Sequence, residues 1–204
     1  MPSKNSIKQY AAESYYHIYN RGVAKQIIFA ETDDYVVFLS LLKRYLSLTP
    51  LTDKQGRKYP NYSKDIELLA FCLMPNHFHL LIYQGDDSKA MEALMRSVIT
   101  SYSGYFNRKY KRVGHLFQGA YKASRIDDEA YLQHISRYIH LNPKDWQAYE
   151  WSSLPYYLDQ KQADWLLPAK ILDIFEGESY KDFVADYEDY KNELDAIKHQ
   201  LADS

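Results

Sequence analysis

Ile66-Glu67-Leu68-Leu69-Ala70-Phe71-Cys72-Leu73, the turn residues Met74-Pro75-Asn76, and His77-Phe78-His79-Leu80-Leu81-Ile82 form the stretch on which the fold turns. The first run is apolar and short enough for a buried strand. Pro75 and Asn76 punctuate it, and proline forbids a continuous ladder through that point. The second run then folds back as a partner strand. Strand side chains alternate with period two, so Phe78, Leu80 and Ile82 enter a core while His77 and His79 share the opposite face. Two neutral imidazoles side by side at a sheet end are half of a divalent-metal site. With seven histidines in 204 residues, the same pair is also compatible with chance and a purely structural role.

Working outward, Ser14-Tyr15-Tyr16-His17-Ile18-Tyr19-Asn20 is rich in strand formers and closes at Asn20-Arg21-Gly22. Asp33 or Asp34 can cap a helix carrying Val36, Val37, Phe38, Leu41, Leu42 and Leu46. Thr49 to Lys64 reads as a loop. A second helix starts after Gly85-Asp86-Asp87-Ser88, with Met91, Leu94, Met95, Val98, Tyr102 and Tyr105 at helical spacing, and runs to about Tyr110. Leu116 to Ser124 reads as a strand. Strand, helix, strand, strand, helix, strand is the order of an α+β, ferredoxin-like antiparallel sheet covered by helices on one face. A further helix opens at Asp127-Asp128-Glu129 and is closed by Pro143. Its core stripe is Leu132, Ile135 and Ile139, and His134, Tyr138 and Asn142 occupy the neighbouring stripe.

Composition narrows the function classes. No run of about 18 apolar residues exists, so no membrane span is expected, and Met1 to Lys8 lacks the apolar stretch of a secretory signal. The single cysteine, Cys72, permits no internal disulfide and no cysteine-rich metal centre; it reads as core packing. A cytoplasmic location follows as the expectation. The net charge of −2 hides a division. From Arg96 through Arg125 there is no acid, while Arg96, Arg108, Lys109, Lys111, Arg112, Lys122 and Arg125 are basic and interleave with Tyr102, Tyr105, Phe106, Tyr110, Phe117 and Tyr121. Local charge governs attraction to phosphates, and exposed rings stack on unpaired bases. A solvated helix face followed by core aromatics is the competing reading.

Met74-Pro75-Asn76-His77-Phe78-His79-Leu80-Leu81 and Ser136-Arg137-Tyr138-Ile139-His140-Leu141-Asn142-Pro143, in that order, resemble the HUH-type single-tyrosine transposases. The likeness is greatest to the REP-associated branch, which acts on short palindromic repeats in bacterial genomes. Asn20-Arg21-Gly22 and Gly114-His115-Leu116-Phe117-Gln118 fit the same pattern, and the resemblance spans about Tyr15 to Leu158. It implies a metal-dependent single-stranded DNA endonuclease and strand transferase that cleaves beside hairpin repeats. In that mechanism His77 and His79 bind magnesium or manganese, Asn142 stands where some relatives place a third ligand, and Tyr138 is the nucleophile. Attack would leave a 5′-phosphotyrosine and a free 3′ hydroxyl, conserving a bond for later transfer without ATP. Arg108, Lys109, Lys111 and Arg112 are the first candidates for phosphate contacts, with Lys122 and Arg125 next. The alternatives are a noncatalytic hairpin-binding protein derived from a transposase, and a phosphodiesterase using water.

Residues 1–158 are expected to form the transposase domain and residues 159–204 a helical extension on or beside it. Trp146, Tyr149, Trp151, Leu154, Tyr156, Tyr157, Trp165 and Leu166 can cover one face. Ser179 to Leu201 has helical composition, with Phe183, Val184, Tyr187, Tyr190, Leu194 and Ile197 as its stripe. The acids of this tail read as a solvated face, or else as a shield over the basic groove. Monomer and homodimer both remain open, as does a nucleotyrosine supplied by the same or a neighbouring chain.

Overall fold

The computed structural model describes residues 10–186. A four-stranded antiparallel sheet has the order β2-β3-β1-β4, with β1 at Ser14–Arg21, β2 at Ile66–Met74, β3 at His77–Gln84 and β4 at Lys122–Ile126. Helix α1 (Thr32–Leu46) connects β1 to β2, and α2 (Ala90–Lys109) connects β3 to β4. This is the ferredoxin-like order read from the sequence, an α+β fold. The β2–β3 hairpin turns through Pro75 and Asn76, pairing Met74 with His77.

Helices cover both faces of the sheet, not one. Phe78, Leu80 and Ile82 pack with Phe38, Leu42, Met91, Leu94 and Val98 of α1 and α2. On the other face Leu69, Cys72 and Leu81 meet Leu132, Ile135, Tyr138 and Ile139 of α3 (Glu129–His140). A continuous apolar run such as β2 demands this, because both sets of alternate side chains need a dry partner. The aromatic segment after Pro143 likewise serves both cores. Trp151, Tyr156, Trp165 and Leu166 join the α1/α2 side, whereas Trp146, Tyr149, Leu154 and Tyr157 join the α3 side. Between them, Ser153 N–H donates to the Phe71 carbonyl at 2.9 Å and Leu73 N–H to the Trp151 carbonyl at 2.9 Å, so the chain closes the outer edge of β2.

Three boundaries differ from expectation. The N-cap of α1 is Glu31, with Asp34 bonding back in a capping box, so Asp34 lies one turn inside. Asp34 is fully buried and accepts from Ala30 N, Glu31 N, the Tyr105 and Tyr110 hydroxyls and Lys109 Nζ. It ties the start of α1 to the end of α2. The last strand of the sheet begins at Lys122, while Leu116 and Phe117 belong to a loop whose Phe117 bridges to Gly22. Helix α3 ends at His140, so Asn142 rides on the turn before Pro143.

Short helices α4 (Leu154–Tyr157), α5 (Ala169–Leu172) and α6 (Tyr180–Ala185) complete the α3 side. Buried His140 pins them, with Nδ1 2.7 Å from the Tyr180 hydroxyl and Nε2 2.7 Å from Ser153 Oγ. Val184 of the expected tail stripe is buried; Tyr187, Tyr190, Leu194 and Ile197 lie outside the described residues. No described helix is long and apolar enough to cross a membrane.

Candidate active site

Alternation along β1 and β3 puts Tyr19 opposite His79 and Arg21 opposite His77. These four side chains, with His17 two residues earlier, face α3. Tyr138 on α3 comes down over them: its ring is 5.4 Å from that of His79, edge-on at 82°, and 6.0 Å from that of His17. The histidine rings themselves are 5.0 Å apart. Three elements distant in sequence therefore converge, and the nucleophile candidate and the paired imidazoles share one site.

The hydrogen bonding of His77 is informative. Its Nδ1 is 2.7 Å from Asn76 Oδ1, and its Nε2 is 3.1 Å from Asn142 Oδ1. Asn76 is oriented by its own Nδ2, which donates to the Lys25 carbonyl at 3.3 Å. The Asn142 side chain also lies near the Tyr138 hydroxyl and acts in the sense that favours phenolate. Each ring nitrogen of His77 thus faces an oxygen. Burial lowers the His77 pKa, so the ring is neutral and carries a single proton. Either nitrogen can carry it. With the proton on Nδ1, Nε2 and the Asn142 oxygen are two lone pairs facing each other, an arrangement that a shared cation relieves. Cis ligands of an octahedral magnesium or manganese, at about 2.1 Å each, stand about 3.0 Å apart.

His79 is fully buried and its pKa is held well below the ordinary histidine value by burial, then by its histidine neighbours. Its Nδ1 is 2.9 Å from His17 Nε2, which leaves Nε2 as the nitrogen able to take a ligand. His77, His79 and Asn142 can together hold one hard cation. Among the described residues no group of three or more His, Cys, Asp or Glu side chains is placed to do so, and a complete protein cage is lacking. A cation bound here would keep positions open for substrate oxygens and water. Tyr138 is 6% exposed, and desolvation pushes its phenol up to about 12.

Lys122 pairs with Tyr19 and lies half-buried on this face of the sheet. Arg125 pairs with Tyr16, on the opposite face, and bonds Asp127 at 2.6 Å. Arg108 and Lys111 are exposed at the end of α2. Lys109 is engaged by Asp34 at 2.9 Å and Glu31 at 3.0 Å, and Arg112 by Gln26 at 2.8 Å and Asn107 at 3.3 Å. The loop they lead into reaches the site: Val23 N–H donates to the Leu116 carbonyl at 3.0 Å, and Gly22 N–H to that of Asn76 at 2.9 Å. Gly22 is needed here, since a Cβ would stand 2.2 Å from the Gln26 carbonyl oxygen. His134 Nδ1 lies 3.0 Å from Arg137 Nη2.

His17, Tyr19, Arg21 and Asn76 were not among the expected site residues. Strand alternation could have found the first three, since they share a face with each other once β1 is set beside β3.

The family described as Transposase IS200 like matches residues 58–142. Among solved structures, a REP-associated tyrosine transposase bound to a REP hairpin aligns at a TM-score of 0.54 and 14% identity, covering 77% of this chain and 86% of that one. A provisionally assigned transposase from Deinococcus radiodurans aligns at 0.39 and 14% identity, covering 80% and 100% respectively, a score too low to argue from. No curated protein matches. The matched span contains both paired histidines, Tyr138 and Asn142, so the likeness to IS200-like transposases falls on the residues of this site.

Proposed function

We propose that the protein is a metal-dependent single-stranded DNA endonuclease and strand transferase working through a covalent 5′-phosphotyrosine. One observation carries the reading: Nε2 of a neutral His77 faces Asn142 Oδ1 at 3.1 Å, beside Tyr138 and His79, as two ligands of one cation would. Magnesium or manganese, once bound, supplies Lewis-acid stabilisation of the phosphoryl oxygens. The chain's own residues do the rest. His77, His79 and Asn142 orient the centre. Asn142, close to the Tyr138 oxygen, would donate to it and stabilise the phenolate as its proton leaves. The Tyr138 oxygen attacks phosphorus, the bond to the 3′ oxygen breaks, and that oxygen departs as a hydroxyl after taking a proton. The phosphodiester linkage is exchanged, so a second 3′ hydroxyl can reverse the step.

Exposed Arg108 and Lys111 are the first proposed phosphate contacts, joined by Lys122, Arg112, Lys109 and Arg125 as each leaves the partner it holds. The substrate is proposed to be a hairpin with an adjoining single strand, on the strength of the fold shared with the hairpin-bound REP-associated transposase. Residues 1–158 would be the catalytic unit and 159–204 its extension, acting beside cellular DNA in the cytoplasm as a monomer or homodimer.

The test is incubation of the protein with labelled hairpin-bearing single strands and manganese, followed by denaturing electrophoresis. An adduct with the intact protein and none with Tyr138→Phe is expected. Multiple-turnover cleavage without an adduct would establish a hydrolase. Tight hairpin binding with neither adduct nor cleavage across a library of flanking sequences would establish the noncatalytic alternative.

A further inference from the structure

His17 is fully enclosed at 1% exposure, on the strand next to the proposed ligands, and nothing in the reaction above uses it. Its Nε2 is 2.9 Å from His79 Nδ1, with the two rings inclined by only 21°. Its other nitrogen, Nδ1, is buried with no hydrogen-bond partner among the described residues. Among the described residues no carboxylate acts on the pair, and two buried imidazoles without an acid are neutral. Each therefore carries one hydrogen, and a single hydrogen occupies the bond between them.

Only two arrangements satisfy that count. In the first, His17 Nε2–H donates to His79 Nδ1; the hydrogen of His79 must then sit on Nε2, where it blocks a cation. In the second, His79 Nδ1–H donates to His17 Nε2, the hydrogen of His17 moves to the unpartnered Nδ1, and His79 Nε2 presents a bare lone pair. Passing from the first to the second removes a proton from His79 Nε2, shifts the shared hydrogen across the bond and adds a proton to His17 Nδ1, so the net charge is unchanged. An unpartnered nitrogen is buried either way, so the protein alone has little reason to prefer one arrangement.

We propose that His17 is a positioning residue for the metal centre: by accepting the Nδ1 hydrogen of His79 it turns that ring and holds it in the tautomer whose Nε2 can bind a divalent cation. This inference rests on the metal reading of His77 and His79. Outer partners of this kind are worth about 10- to 100-fold in metal affinity.

The experiment is titration of the intact protein, without DNA, with manganese, counting free ion by electron paramagnetic resonance. His17→Leu should weaken binding by about 10- to 100-fold. His17→Gln places an amide oxygen at nearly the reach of Nε2 and should restore affinity to within about threefold of wild type. Urea unfolding of each variant establishes that it is folded. Long-range proton–nitrogen correlation spectra with magnesium should place the His79 hydrogen on Nδ1 in the bound wild type. Wild-type affinity in folded His17→Leu, a loss in His17→Gln equal to that in His17→Leu, or a bound state keeping the hydrogen on Nε2 would each overturn the inference. His77→Ala separates the two levels. If it leaves manganese binding intact, the metal reading fails and this inference with it; if it abolishes binding while His17→Leu does not, only the role of His17 falls.

Discussion

Replacing Asn142 tests the centre of the proposed chemistry, because one amide faces both His77 and Tyr138. Burial puts the phenol at about 12. At pH 8 ionisation therefore costs about 5.4 kcal/mol, at 1.36 kcal/mol per unit. A hydrogen bond to a charged oxygen contributes about 1.5–3 kcal/mol, and each 1.36 kcal/mol is tenfold in rate. Asn142→Ala should thus slow adduct formation about 10- to 150-fold at saturating manganese, and weaken manganese binding as well through loss of the oxygen 3.1 Å from His77 Nε2. Asn142→Asp divides the two effects. Its carboxylate should tighten manganese binding, yet it replaces the donor to Tyr138 by a negative charge and should slow the chemical step. The assay is single-turnover adduct formation on a hairpin-bearing strand, resolved by denaturing electrophoresis at each metal concentration. Asn142→Ala within about twofold of wild type at metal saturation would refute the assignment, since no hydrogen bond of the stated strength could then be acting on the phenolate.

Other expectations follow from the same geometry. His17 and His140 are fully buried, and desolvation drives both down to about 3. Below about pH 6.5 the unfolded chain takes up protons that the native state refuses, so stability falls as pH falls; about 2 kcal/mol per histidine should disappear between pH 7.5 and 5, and a flat urea midpoint across that range would contradict their neutral burial. Burial also lowers His77 and His79, so manganese affinity should change little from pH 8 to 6.5, where two unperturbed imidazoles would cost about fourfold. Asp34→Ala strands five donors at the α1–α2 junction and should destabilise the protein by about 3–5 kcal/mol in urea unfolding, whereas a loss under about 1 kcal/mol would mean those donors find other partners.

Element order, the hairpin through Pro75 and Asn76, and the shared face of His77 and His79 were legible in the chain, because strand alternation and turn chemistry are local. The stripe of Leu132, Ile135 and Ile139 was legible for the same reason, and with it the side of α3 from which Tyr138 projects. Leu116 and Phe117 misled the reading of the last strand: their apolar character serves a loop packed against Gly22, which only the partner element reveals. The cap of α1 was misplaced because Asp34 looks like any helix-starting acid until the α2 hydroxyls and Lys109 close over it. The use of both sheet faces was missed too, although the unbroken apolar run of β2 was its signal.

Charge along the chain marked out a basic segment but not which cations stay available. Lys109 and Arg112 are held by side chains tens of residues away, an outcome of distance in space and not of spacing in sequence. The same holds for the site. Sequence determined the residue types and their faces; tertiary structure alone decided that β1, β3 and the turn after α3 bring His17, His79, His77, Asn142 and Tyr138 within a few hydrogen bonds of each other. Local periodicity sets where a side chain points, whereas its protonation and its partners depend on what burial removes from water around it.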